Sequence, residues 1–181
     1  MKTFSLSPFA FGACLLLFTA CSTLQVSTDY EHSIDFSAYK TFALTPESEQ
    51  MNISPLVRKR IISAVTAALE SKGLRPSNEP DLLVDLIVRT KEKQSASATT
   101  YDMGGYYGRR YWYGGSVRTT QVHVDNYTEG TLIIDLVDAR KKELIWEGRG
   151  TTVVTSSTIS EERITDAVNR ILESFPPAPK K

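Results

Sequence analysis

Imidazole and thiol chemistry has little to draw on here: two histidines, His32 and His123, and two cysteines, Cys14 and Cys21. A hydrolytic triad needs a histidine beside a nucleophile and a third group to orient it. His32 sits in a polar connection and His123 on a strand-like run, and neither accompanies a nucleophile signature such as G-x-S-x-G. Zinc needs His, Cys or acidic ligands at regular spacing, and no such set occurs. The stretch Asp125 to Gly130 lacks the acidic repeat of a calcium loop, so a turn is the better reading. Asp81 and Asp85 share a strand face instead of converging on one point. Carboxylate hydrolysis needs only two acids, so a hydrolase of that kind stands as a second alternative. The expectation is a non-enzymatic chain with no catalytic residue, no metal ligand and no cofactor.

Spacing does support chemistry at Cys21. The chain opens with one cation, Lys2, followed by an apolar run from Phe9 to Phe18. That run is about half the ~20 residues a membrane-spanning helix needs, and it suits the core of a signal peptide. Cys14, inside it, acts as a small hydrophobe. The run ends at Thr19-Ala20-Cys21, with Phe18 three residues before the cysteine. This resembles the bacterial lipobox, in which a peptidase cuts before a cysteine that carries diacylglycerol. The resemblance implies a thioether-linked diacylglycerol on Cys21, an amide-linked third chain, and firm membrane attachment through several acyl chains. Ser22 in place of Asp implies the periplasmic face of the outer membrane. Residues 1–20 are then a lipoprotein signal peptide and 21–25 a short tether. Four extended residues reach about 14 Å, which holds the folded body close to the lipid.

The second stretch with chemical potential is YDMGGYYGRRYWYGG, residues 101–115. Tyr106, Tyr107, Tyr111, Trp112 and Tyr113 suit stacking on sugar rings or a bilayer interface. Arg109 and Arg110 suit lipid phosphates or acidic groups. Between Ser95 and Ser116 there is neither a helical stripe nor clean alternation, and connections that long are usually functional or mobile. Two readings stand side by side: an interaction loop, or the tip of a hairpin. The first implies an envelope-protein partner, or alternatively a glycan- or lipid-binding module. The formal net charge of +0 argues against nucleic acid, whose phosphates call for a basic stripe.

The elements that must carry these groups are legible in period and punctuation. LQVSTDY and YKTFAL read as short strands, and TPESEQMNISP as a loop. Ser54 and Pro55 open a helix whose apolar stripe is Val57, Ile61, Val65, Ala68 and Leu69; Gly73 stops it. DLLVDLIVRT is a strand with Leu82, Val84, Leu86 and Val88 on one face. SVRTTQVHV, GTLIIDLVD and ELIWEGRGTTVV read as three further strands, the first two linked by NYTEG. Thr158 or Ser160 caps a last helix with a stripe of Ile164, Ala167, Val168, Ile171, Leu172 and Phe175, ended by Pro176-Pro177. The fold expected is α+β: a two-layer sandwich, mainly antiparallel sheet with two amphipathic helices on one face. One domain covers 26–177, and 178–181 form a loose tail.

Asp29-Tyr30, Asp35-Phe36-Ser37 and Tyr39-Lys40-Thr41 together resemble the opening signature of the bacterial lipoprotein family known as domain of unknown function 4136. A second signature matches at Gly130-Thr131-Leu132, Asp135-Leu136, Asp138, Leu144, Trp146 and Gly148, and residues 162–177 resemble the family's closing helix. The likeness covers residues 26–177 and implies the lipobox and the α+β fold. It brings no activity and no catalytic residues. The signature residues also have plain structural readings. Asp135 and Asp138 are expected to cap backbone amides at a turn. Trp146 is expected in the core, and Gly148 and Gly150 at a bulge or a close backbone approach.

Overall fold

Strand alternation and helical spacing converge on one buried cluster, in a computed structural model that describes residues 24–103 and 117–177. The chain opens with β1 (Gln25–Tyr30), and a 3-10 turn at Phe36–Ala38 leads to β2 (Thr41–Leu44). Then come a single helical turn, α1 (Pro46–Glu49), the long helix α2 (Pro55–Ser71), and the two-residue β3 (Arg75–Pro76). Strands β4 (Leu82–Met103) and β5 (Val117–Asp138) form a long hairpin, followed by β6 (Leu144–Val153) and α3 (Glu161–Ile171). The six strands make one mixed sheet in the order β1-β6-β5-β4-β2-β3. It is antiparallel except where β2 runs parallel to β3 and β4.

Leu82, Val84 and Leu86 of β4 and Ile134 and Leu136 of β5 are buried together with Ile61, Val65 and Leu69 of α2 and Ile164, Val168 and Ile171 of α3. Trp146 of β6 closes the cluster edge-on against Phe175, which follows α3, with ring centroids 5.4 Å apart. Gly73 takes φ +90° and lets the Leu74 N–H return to the Leu69 carbonyl, the left-handed stop its position announced. Ser160 caps α3 by accepting from the Arg163 N–H, whereas Ser54 makes no side-chain cap on α2.

The opening-signature residues lock one end of the sheet. Asp35 caps Ser37 in the 3-10 turn. The Asp81 carboxylate accepts from the Lys40 and Thr41 N–H groups and from the Thr41 hydroxyl. Asp138 caps the turn after β5, accepting from the Arg140 and Lys141 N–H groups, and its other oxygen takes the Tyr39 hydroxyl at 2.8 Å. Burial first, and then this bond, push the Tyr39 phenol up to about 12. Tyr39→Phe is therefore expected to lower unfolding free energy by about 1 kcal/mol, because one donor to a carboxylate is lost at a partly wet site. Denaturant titration checks it; stability equal to wild type would mean that water replaces the hydroxyl at no cost.

Four features depart from the sequence expectations. Residues 117–138 form one strand, with no turn at Asn126–Gly130. There Asn126 and Thr128 pair with Gln94 and Glu92, and pairing with an existing strand outweighs the turn preference of Asn and Gly. Residues 95–103, read as the start of a loop, continue β4. The polar stretch after Leu44 contains α1, whose Ser48 stands in for a strand where β2 ends. Its hydroxyl accepts from the Leu86 N–H at 2.8 Å and reaches the Val84 carbonyl at 3.3 Å. Finally, Asp135 lies within β5 and caps no turn.

Candidate functional site

Cys21 lies outside the described residues, as do Tyr106, Tyr107, Arg109, Arg110, Tyr111, Trp112 and Tyr113. The described chain does position the ends of both segments. Leu24, three residues after Cys21, is held against α3 by the Arg170 guanidinium, which donates to the Leu24 carbonyl at 3.2 Å. Met103 and Val117 pair directly across the hairpin, so residues 104–116 join the far ends of β4 and β5.

That hairpin runs well past the sheet. β6 pairs with β5 only as far as Glu129, and β2 pairs with β4 only at Leu82–Val84. From Gln94 and Asn126 outward, β4 and β5 pair only with each other among the described residues. At ~3.3 Å per residue this arm extends roughly 30 Å beyond the sheet. Its register holds without a bulge, and residues 94–100 and 120–126 are exposed. Val122 and Val124 are 61% and 55% exposed and stand opposite Ala98 and Ala96, an apolar strip on an otherwise polar ribbon. His123 lies on the arm's other row, its Nε2 3.6 Å from Asp125. His32 stacks edge-on against Tyr30. Neither histidine is set beside a nucleophile in these contacts.

A second feature lies at the base of the arm. Leu24, Val57, Val88, Leu132, Ile164 and Ile171 help line a cavity of about 300 Å³ that, among the described residues, no charged side chain borders. Thr90 and Gly130 also line it, and they pair with each other where β4 and β5 leave the sheet.

A third feature escaped the sequence reading. Asp135 pairs across strands with Asp85 on one side and Glu147 on the other, and Glu147 pairs with Asp29. Four carboxylates thus share one row across β4, β5, β6 and β1. Burial, and then the charges of Glu147 and Asp85, push Asp135 up to about 6 against a lesser pull from Arg149 and Arg89. One Asp135 oxygen is sealed from solvent with no hydrogen-bond partner. Glu147 is paired with Arg149 at 2.8 Å, and Asp85 accepts from the Thr45 hydroxyl at 2.8 Å. Neither Asp85 nor Asp135 lines the apolar cavity. Among the described residues no cluster of three or more His, Cys, Asp or Glu side chains is arranged to hold a metal ion. Only strand pairing brings these acids together, so no sequence motif announces them.

Comparison with known proteins adds family and fold. The family model described as "Domain of unknown function (DUF4136)" matches residues 26–177. No curated protein matches. Among solved structures, a PDZ domain protein from Parabacteroides distasonis ATCC 8503 is similar at 17% identity and a TM-score of 0.55. The match covers 87% of this chain and 37% of that one, so this chain spans little more than a third of its neighbour's length. PelC from Paraburkholderia phytofirmans, solved as a dodecamer, is similar at 13% identity and a TM-score of 0.48, over 82% of this chain and 94% of that one.

Proposed function

Since the chain belongs to the DUF4136 family, we propose that it is a non-enzymatic lipoprotein of the bacterial outer membrane. In this reading Cys21 carries the lipid, and a two-layer α+β body sits on the periplasmic face. That body presents its β4–β5 arm, with residues 101–115 at the end, to a protein partner. The observation that supports it most is the arm itself. A two-stranded ribbon is marginally stable in water, and one exposed on both rows over this length gains from pairing or packing with something else. Long unpaired strand edges are also ready-made templates for another chain. The absence of catalysis is part of the proposal, and the setting of the carboxylate row supports it. Those acids lie side by side along adjacent strands, with Glu147 held by Arg149 and Asp85 by Thr45.

Replacing Tyr111, Trp112 and Tyr113 together with Ala tests the arm. Crosslinking in intact cells followed by pull-down is expected to lose the captured partner at least tenfold, with the melting temperature unchanged. Undiminished capture would remove the arm's end from the reading. The same variant separates the glycan- or lipid-binding alternative. If rings rather than a protein surface are the ligand site, wild-type Trp fluorescence shifts with peptidoglycan fragments or anionic vesicles and the variant's does not.

A further inference from the structure

We infer that the apolar cavity beside Leu24 holds one acyl chain of the lipid on Cys21, an inference that rests on the lipoprotein reading above. This space of about 300 Å³ is open on one side and lined by Val57, Val88, Leu132, Ile164 and Ile171, an apolar wall from which an apolar ligand would displace water. The lining selects its chemistry. Among the described residues it has no charged side chain and a few threonine and serine hydroxyls, which disfavours a sugar or phosphate and suits hydrocarbon. If a methylene fills about the ~30 Å³ that a water takes in the liquid, the space holds on the order of ten of them.

Two glycines in the lining let the walls of the cavity close in on the sheet. A Cβ on Gly150 would stand 2.5 Å from Ile171 Cδ1 and 3.3 Å from Leu24 Cδ1, and one on Gly130 would stand 2.5 Å from Val154 Cγ2. The position of the cavity selects the source. Leu24 is part of its wall and is pinned to α3 by Arg170. Cys21 is three residues away, at most about 11 Å of extended chain. One of several chains on Cys21 can therefore turn into the cavity while the others stay in the bilayer. That draws the body down onto the membrane, and one chain alone would hold it there only marginally.

The test uses the full chain in cells fed a diazirine-bearing palmitate. After ultraviolet exposure and purification, crosslinks are expected on peptides from Pro55–Ser71 and Glu161–Ile171, the helices that wall the cavity. Ala167→Phe, which fills the space, should cut those crosslinks at least tenfold. Ile159→Asp, at a residue 36% exposed, should do the same, with the melting temperature read beside it to check that the fold is kept. Intact mass, read separately, counts the acyl chains. A protein that is acylated but crosslinks only to lipid overturns the inference and leaves the lipoprotein reading standing. An unacylated protein overturns both.

In the second arm, dansyl-undecanoate is titrated into the acylated protein and into Cys21→Ser. The variant should bind it at least tenfold more tightly, because its cavity is vacant. Equal binding to both would mean that the lipid on Cys21 leaves the cavity empty, and no binding to the variant that hydrocarbon does not enter; either result sinks the proposal.

Discussion

Gly148→Ala is expected to cost about 3 kcal/mol of unfolding free energy, the upper end of what overpacking a well-filled core does. The added Cβ would collide with Trp146 Cη2 and stand 2.6 Å from Ile171 Cγ2. The Trp146 ring, 1% exposed, has nowhere to go, and Ile171, though its side chain lines the cavity, is fully buried and fixed by the α3 backbone. The indole is held from its other side by Phe175, and Ile171 sits in the last turn of α3. Relief therefore means lifting α3 from β6, not turning one rotamer. Gly150→Ala meets the flexible Cδ1 end of Ile171 at 2.5 Å and should cost less, about 1 kcal/mol. Denaturant titration of both variants checks the ranking. A Gly148→Ala protein as stable as wild type would mean that α3 rides loosely on the sheet, and the wall of the cavity between them with it.

Gly148 and Gly150 are expected from the sequence at a bulge or a close backbone approach, and the close approach there is made by the side chains of Trp146 and Ile171; much else in the sheet was less legible. The α2 and α3 stripes and the Gly73 stop depend on neighbours three to five residues apart, so local spacing carries them. Trp146 is a large ring on an alternating strand, and it lies in the core as expected. The long β5 is different. Asn126–Gly130 is turn-like by composition, and only its partner strand, some thirty residues earlier, keeps it extended. Ser48 is equally opaque: its value lies in the Leu86 N–H and Val84 carbonyl it reaches, which become strand-edge groups only because β2 stops at Leu44. The cavity draws on residues from Leu24 to Ile171, and no window along the chain contains it. Cys21 and the aromatic stretch were the candidate site residues the sequence offered. The fold adds to them what spacing could not: an arm that carries one and a wall that begins three residues after the other.

Asp135→Asn is expected to stabilise the protein by about 2 kcal/mol at about pH 7 and to change nothing near pH 3.5. The Asp135 carboxyl has an ordinary value of 3.8 and is pushed up to about 6 by burial and by Glu147 and Asp85. The folded state therefore keeps its proton while the unfolded chain has already released it. Stability falls as pH rises from about 4 to about 6, and above that window the folded protein carries the full cost of a crowded carboxylate. The gap between 3.8 and about 6 corresponds to a ceiling of about 3 kcal/mol; solvent reaching this half-buried group brings it to about 2.

Asp81 and Asp138 work in the opposite sense. Backbone N–H donors hold both carboxyls low, those of Lys40 and Lys141 first, so the stability they contribute is lost as pH falls below about 4. The two effects occupy different windows, and the wild-type-minus-variant difference isolates Asp135. Urea titrations across the range should show that difference opening between about pH 4 and 6 and flat outside it. A constant difference would mean that Asp135 titrates like a solvated acid and that the row is not crowded. A buried oxygen without a partner between two like charges is a liability in a purely structural strand. Asparagine there would show how much stability the sheet gives up to keep an acid.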